Sequence, residues 1–258
     1  MKFQLGAFLT AIQFLTRVPV PGGMSKPGAD PALLSACVVY FPIVGALIGA
    51  VTGMVISGAS QLWSIPIAVL LGLVAEALLT GAFHEDAVAD SCDAFGGGWT
   101  TDDVLRILKD SRIGSYGTLG LGLAVALRGF GLMELSAGLF VLVAAAAGSL
   151  GRFAILPLMA AVPPIVSRDG LSKDIGKQVT WKTVALGAAL TLPGIVCFAW
   201  ILPWNLLVGL VVAAMLLSLW GRHVKRRIGG ITGDCLGLGC YLVQIVFTLA
   251  ATLPLGAR

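Results

Sequence analysis

The sequence predicts an all-α, polytopic integral membrane protein with about seven transmembrane helices and an N-terminal interfacial helix, forming one domain over residues 1–258. Composition is the first observation behind this prediction: 57% of the residues are hydrophobic, 12% are charged, and the mean hydropathy is +0.95. A soluble domain carries roughly 25% charged residues. So few charges cannot cover a water-exposed surface, and a soluble enzyme is therefore disfavoured.

The second observation is a series of apolar segments, each close to the roughly 20 residues that a helix needs to cross a bilayer. They lie at about 36–58, 65–83, 118–135, 138–161, 183–202, 204–220 and 231–254. Glycines recur inside them, as in "GALIGAVTG", which predicts close approach of neighbouring helices. The N-terminal "FQLGAFLTAIQFLTRVPVP" is interrupted by Gln4, Gln13 and Arg17, so we interpret it as an interfacial helix and expect no cleaved signal peptide.

The third observation is the distribution of lysine and arginine. They precede the first span and fill the connections at about 84–117, 162–182 and 221–230, whereas the intervening turns hold none. Fourteen of the seventeen basic residues thereby fall on one side, which the positive-inside rule assigns to the cytoplasm. We expect a multi-pass protein of the cell (inner) membrane with its loops 84–117, 162–182 and 221–230 in the cytoplasm.

Acidic residues follow the second span, in "HEDAVADSCDAFGGG" at 84–98. On a helix, Asp86, Asp90 and Asp93 occupy positions i, i+4 and i+7 and share one face. Three adjacent carboxylates repel one another, and Mg²⁺, which prefers oxygen ligands, would relieve that repulsion. We predict a Mg²⁺ site made by these three aspartates and Asp234. The alternative is a solvated acidic face with nearby basic partners.

Glycines and cations near the acidic helix suggest a phosphate ligand. The glycines at 96–98 are expected to end the helix through left-handed backbone. The next helix, at "TTDDVLRILKD", is expected to start at Thr101 without a full capping box. Lys109 and Arg112 follow it, and the backbone around Gly233 in "RRIGGITGDCLG" would let a phosphate approach closely.

Two further residues have open roles at this stage. Arg152 lies within a predicted span, where it either contacts phosphate or pairs with a carboxylate such as Glu76 or Glu134. His84 is either a general base for a ribose hydroxyl or a helix cap. We predict His84, Asp86 and Asp90 as catalytic residues.

Several ordered motifs resemble the cobalamin synthase family, the adenosylcobinamide-GDP ribazoletransferases. They are "GAFHEDAVADSCDAFGGG", "ILKDSRIGSYG" and "GGITGDCLG", supported by "AIQFLTRVPVP", "YFPIVGALIGA", "GRFAILPLMA" and "DGLS". The resemblance implies a polytopic, Mg²⁺-dependent transferase. In that reaction, alpha-ribazole or its 5′-phosphate attacks the cobinamide-linked phosphate of adenosylcobinamide-GDP and releases GMP, which is the last assembly step of the cobalamin nucleotide loop.

The chain departs from the family pattern at two places. Ala87 and Val88 replace a Gly-Leu pair, and Tyr241 and Gln244 occupy positions near which the family often has a glutamate. Asp234 would then be the acid at this end of the site.

The expected partners are the two small-molecule substrates and the lipid bilayer. No nucleic acid is expected, and the sequence is compatible with a homo-oligomer. A Mg²⁺-dependent phosphotransferase of the CDP-alcohol type is the alternative enzyme, although the motif of that class is absent. A transporter is disfavoured because the acids lie at span ends and the chain has no matched halves.

Overall fold

The computed structural model describes residues 2–20, 31–165 and 179–255. The described chain is helical, with one isolated bridge between Pro164 and Ile231. Short 3₁₀ turns at Val38–Tyr40 and Ala137–Leu139 precede two of the long helices. The α-helices are α1 Lys2–Leu15, α2 Pro31–Cys37, α3 Phe41–Ala59, α4 Ile65–Thr80, α5 Phe83–Gly97, α6 Thr101–Ile107, α7 Ser115–Met133, α8 Phe140–Ala161, α9 Trp181–Ile201, α10 Pro203–Ile228 and α11 Gly233–Ala251.

The predicted fold class is confirmed. Six helical segments of the described chain are long and apolar enough to cross a membrane, and α4 together with α5 makes a seventh candidate that is bent by 90°. Helix α1 has 14 residues, which is too short for a span and fits the expected separate N-terminal helix.

The bend between α4 and α5 was not expected, because the sequence suggested that the acidic run continues directly from the apolar helix. Gly81 (φ 73°) and Ala82 (φ 57°) both adopt left-handed backbone and separate the two helices. Left-handed backbone is unusual for alanine and costs roughly 1 kcal/mol or more. Arg17, which follows α1, stabilises the bend. Its backbone N–H donates to the carbonyl of Leu79 (2.8 Å), and its guanidinium packs on Gly81.

The centre of the bundle is the antiparallel pair α3 and α8. Gly45, Gly49 and Gly53 of α3 lie directly against the backbone of α8, with Gly148 opposite Gly45. A Cβ at any of these positions would overlap backbone atoms of the other helix. The glycines seen in the sequence therefore bring the helices into close contact, as predicted.

Charged and aromatic side chains mark the two ends of the bundle. The described lysines and arginines outside the core lie at the end where α3 begins and α8 ends, which we call the basic end. Exposed tryptophans occupy both ends, as is common at membrane–water interfaces. They are Trp99 and Trp181 at the basic end, and Trp63, Trp200 and Trp204 at the other end.

Three local expectations at the basic end were wrong. The stretch 221–230 is not a loop, because α10 continues to Ile228 and ends at left-handed Gly229. Helix α5 does not end through a left-handed glycine, since Gly98 is extended (φ −83°, ψ 130°). Helix α6 does start with a full capping box, formed one residue earlier than expected by Thr100 and Asp103. The predicted motif "DGLS" and most of the loop 162–182 lie outside the described residues.

We predict that Gly49→Ala destabilises the protein while Gly58→Ala in the same helix does not. The new Cβ at position 49 would overlap the backbone of α8, whereas position 58 has open space. Overpacking of this kind costs about 1–3 kcal/mol. Thermal unfolding in detergent measures the difference, and equal melting temperatures for the two variants would contradict this packing of α3 on α8.

Candidate active site

Helix α5 packs against both α7 and α11 and runs antiparallel to α7. Ala87 contacts Gly237 of α11, and Val88 shares a buried cluster with Tyr241, one turn further along α11. On the other side, Cys92 contacts Gly120 of α7. Ala87 and Val88 therefore seat α5 in the bundle.

The acidic residues share one face of α5, as their spacing predicted. This face lies between the two packed sides, so it opens toward the N-terminal ends of α7 and α11. Asp86 is exposed, while Asp90 and Asp93 are half-buried. The carboxylate of Asp86 makes no hydrogen bond or ion pair with the described residues.

Asp93 has a structural role that the sequence did not reveal. Its Oδ2 accepts a hydrogen bond from the backbone N–H of Gly114 (2.7 Å), and its Oδ1 accepts one from Gly117 (2.8 Å). These are N–H groups of the first turn of α7, which have no partner within the helix. Asp93 therefore fixes the start of α7 beside the acidic face, and each of its oxygens accepts one backbone N–H.

Asp234 lies in the first turn of α11. Ala87 of α5 contacts Gly237 of α11, and Asp90 and Asp234 each lie three residues, about one turn, from that contact. The side chain of Thr232 caps α11 by accepting from the N–H of Cys235 (3.3 Å). Gly233, the first residue of α11, is exposed. The positive end of a helix dipole thus points toward the acidic face.

The four predicted metal ligands do not form a closed shell. In the part of the chain that the structure describes, no three His, Cys, Asp or Glu side chains are grouped tightly enough to hold a metal. Mg²⁺ usually takes only one or two carboxylates and completes its shell with water and substrate phosphates. The open face with Asp86, Asp90 and Asp234 fits that mode of binding, whereas Asp93 fits it least.

Lys109 and Arg112 lie in the exposed connection that leads to Gly114 and α7. Arg112 donates to both carboxylate oxygens of Asp110 (2.9 and 2.6 Å). These hydrogen bonds hold the pKa of the Asp110 carboxyl at about 2, well below its ordinary value. Asp110 is therefore ionised throughout the neutral range and holds Arg112 in the loop that leads to Gly114. Lys109 is exposed and makes no ion pair among the described residues.

Arg152 is not on the acidic face. It belongs to a buried network in which Glu76 of α4 accepts from Arg128 of α7 (2.6 Å) and from Thr52 of α3 (2.8 Å). Arg152 lies 3.8 Å from the other oxygen of Glu76 and donates to Gln244 of α11 (2.9 Å). The side chain of Arg152 is 1% exposed. Of the two roles considered from the sequence, contact with phosphate or pairing with a carboxylate, the position of Arg152 matches pairing with Glu76.

His84 also points away from Asp86. It is 2% exposed, on the side of α5 that faces the bundle, within electrostatic reach of Arg152 and Arg128. Neither ring nitrogen has a hydrogen-bond partner among the described residues. His84 does not cap α5 either, because the N-cap residue is Ala82.

Tyr241 and Gln244 of α11 contact the two arginines of the network. The ring of Tyr241 lies under the guanidinium of Arg128 at 5.5 Å. Gln244 is the nearest hydrogen-bond acceptor to Arg152. These two side chains are therefore part of the buried network and not of the acidic face.

Sequence reasoning missed three residues that position α5. Arg128 was counted only as a basic residue inside a span, although its mid-span charge indicated a buried partner. Arg17 and Arg227 were counted only for topology. Arg227 donates to the carbonyls of Gly98 and Trp99 and so holds the end of α5, which explains how an extended glycine ends that helix.

We predict that Glu76→Gln destabilises the protein strongly, whereas Glu134→Gln leaves its stability unchanged. The first variant leaves Arg128 and Arg152 buried without a carboxylate, which costs about 3–5 kcal/mol. Glu134 is exposed at the end of α7. The melting temperatures of the two variants in detergent provide the comparison. A Glu76→Gln protein as stable as Glu134→Gln would show that the ion pairs do not hold the bundle.

We further predict that Gln244→Glu is accommodated and raises the melting temperature. The new carboxylate would stand 2.9 Å from Arg152, where it adds an ion pair to a site in which one carboxylate now serves two arginines. Gln244→Leu, which has no acceptor, should lower the melting temperature. A decrease for both variants would contradict this account of the network.

The chain is similar in sequence to proteins of one family. Residues 7–252 match the family described as cobalamin-5-phosphate synthase. The chain is 37% identical to the adenosylcobinamide-GDP ribazoletransferase of Vibrio cholerae serotype O1, covering 96% of this chain and 94% of the relative. It is 37% identical to the protein of the same name from Ralstonia pickettii (93% and 92% covered) and 36% identical to that from Shewanella frigidimarina (96% and 97% covered).

No solved structure shows significant similarity to this chain. The family assignment therefore rests on the sequence comparisons, which extend across all the helices that build the acidic face and the buried network. The chain belongs to the cobalamin-5-phosphate synthase family.

Proposed function

We propose that this protein is an adenosylcobinamide-GDP ribazoletransferase, an integral membrane enzyme that joins adenosylcobinamide-GDP to alpha-ribazole or its 5′-phosphate and releases GMP. The observation that carries the proposal is the acidic face of α5, which opens between the N-terminal ends of α7 and α11 in a chain of this family. A face of carboxylates beside helix N-termini suits a pyrophosphate substrate with a divalent cation.

The reaction exchanges one bond at phosphorus for another. A hydroxyl of the ribazole ribose forms a P–O bond to the phosphate that is linked to cobinamide. The P–O bond of the pyrophosphate breaks on the side of the guanosine phosphate, which leaves as GMP. Charge builds up on the phosphate oxygens during this exchange, so the main tasks of the protein are positioning and charge stabilisation.

We propose that Mg²⁺ binds with the substrate, held by Asp90 and Asp234 with its shell completed by water and substrate phosphates, while Asp86, also predicted as a ligand, is assigned to proton transfer. When bound, it would neutralise the phosphate charge that develops at the breaking and forming bonds. Asp93, predicted as a further ligand, is assigned to orient α7, because each of its oxygens accepts a backbone N–H from the start of that helix.

Backbone and cationic groups around the acidic face would bind the phosphates. The exposed N-terminus of α11 at Gly233 offers N–H groups and a favourable dipole. Lys109 and Arg112, in the connection before α7, would supply positive charge next to the same opening, with Arg112 held there by Asp110. Arg152 is assigned to the buried network, where it supports the position of α11 through Gln244.

The proton of the attacking hydroxyl needs an acceptor within hydrogen-bonding distance. Asp86 is exposed on the acidic face, whereas His84 is buried on the opposite side of α5. We therefore propose Asp86 as the acceptor, and the role of His84 as a general base stays a prediction. A His84→Gln variant that keeps its activity and its pH profile would exclude His84 as the base, and loss of the acidic limb of that profile in Asp86→Asn would assign the role to Asp86.

We propose the cell membrane as the location, with the basic end and the acidic face on the cytoplasmic side. The basic end holds every described lysine and arginine outside the bundle core, and such loops remain in the cytoplasm. Both substrates would then reach the active site from the cytoplasm.

The test is GMP release by purified protein in nanodiscs, supplied with adenosylcobinamide-GDP and alpha-ribazole, with and without Mg²⁺. We expect Mg²⁺-dependent release, reduced on the order of 100-fold or more by Asp90→Asn, because a group that stabilises developing charge is lost. Asp102→Asn is the matched control, since Asp102 is an exposed aspartate of the neighbouring helix α6.

Two outcomes would contradict the proposal. Folded wild-type protein that releases no GMP would exclude this reaction and favour a CDP-alcohol phosphotransferase. Equal activity of Asp90→Asn and Asp102→Asn would place the reaction away from the acidic face.

A further inference from the structure

A deep groove lies between α8, α9, α10 and α11, on the side of α10 away from α5. Its volume is about 630 Å³, within the roughly 300–1,000 Å³ of small-molecule sites. The walls are almost wholly apolar, with residues such as Phe153, Leu192, Leu210 and Phe247. The one hydroxyl deep inside, that of Thr191, donates to backbone carbonyls of its own helix and offers little to a polar ligand.

The groove has the length of one membrane leaflet. It extends along α10 from Leu210 to Lys225, fifteen residues apart, which corresponds to about 22 Å at 1.5 Å per residue. One leaflet contributes about 15 Å of hydrocarbon, and the headgroup layer adds to it. The groove therefore begins near the bilayer midplane and ends at the level of the lipid headgroups.

Positive charge is confined to the end of the groove at the membrane surface. Arg222 and Lys225 line the groove there, beside Ser218 and the exposed ring of Trp181. Within the ranges that the structure describes, neither cation forms an ion pair. Tryptophan at this level is typical of the membrane interface. An apolar groove that ends in two cations is complementary to an acyl chain that ends in an anionic phosphate.

We propose that this groove is a binding site for one anionic phospholipid, with an acyl chain between α9 and α10 and its headgroup phosphate on Arg222 and Lys225. The site is separate from the acidic face, because α10 presents Trp220 and His223 to Phe95 of α5 on its other side. The proposal does not depend on the proposed reaction, and its test measures binding without turnover.

The test is native mass spectrometry of the detergent-purified full chain, titrated with phosphatidylglycerol or with phosphatidylcholine of identical acyl chains. We expect one phosphatidylglycerol to bind at least about tenfold more tightly than phosphatidylcholine, because each basic residue near an anionic lipid adds to the attraction. The double variant Arg222→Gln with Lys225→Gln should lose this preference. Ala214→Trp, which fills the groove, should lose the binding of both lipids.

Matched controls separate the groove from the rest of the membrane surface. Arg226→Gln with Lys182→Gln removes the same charge from the basic end outside the groove, and Met215→Trp adds the same ring to the neighbouring, lipid-facing position. Both controls should bind phosphatidylglycerol like the wild type. Equal affinity of the wild type for the two lipids, or an unchanged preference in the Arg222 and Lys225 double variant, would overturn the proposal. Loss of a protein dimer in Ala214→Trp with lipid binding unchanged would also overturn it and assign the groove to a second copy of the chain.

Discussion

The structure depends on one buried interaction, the pairing of Glu76 with Arg128 and Arg152. Each of the three side chains is at most 3% exposed, and they come from three different helices, α4, α7 and α8. An unpaired charge in a bilayer is costly, so none of these helices can move far without exposing one. Gln244 and Tyr241 extend the same network to α11. Helices α4, α7, α8 and α11 are thereby held in fixed positions, and α5, which contributes no ion pair to the network, packs mainly against α7 and α11.

This buried network explains how a run of carboxylates is tolerated at the membrane. The left-handed residues Gly81 and Ala82 turn α5 by 90°, which directs its buried side to the network and its acidic face to the opening between α7 and α11. Asp93 fixes the start of α7, and Arg227 fixes the end of α5. Asp93 and Arg227 thus hold the helix ends next to the acidic face, and neither residue needs to touch the substrate.

The sequence predicted the fold class, the number of spans and the common face of the aspartates, because hydropathy and helical spacing are local signals. It could not place Arg152, since a mid-span arginine indicates that a buried partner exists but not which one. It also did not reveal the hydrogen bonds of Asp93 to the start of α7, because the first partner, Gly114, lies 21 residues further along the chain; the role of Asp93 as a metal ligand stays a prediction. The Gly81–Ala82 bend had no visible signal, because alanine seldom adopts left-handed backbone.

The central claim is that the acidic face of α5 holds a divalent cation together with the substrate pyrophosphate. Electron–nuclear double resonance with Mn²⁺ in place of Mg²⁺ tests it directly in the presence of adenosylcobinamide-GDP. The account predicts ³¹P coupling to the bound Mn²⁺ in wild-type protein and in Asp102→Asn, and loss of that coupling in Asp90→Asn. Undiminished ³¹P coupling in Asp90→Asn, or Mn²⁺ bound to the folded wild type without any ³¹P coupling, would contradict it.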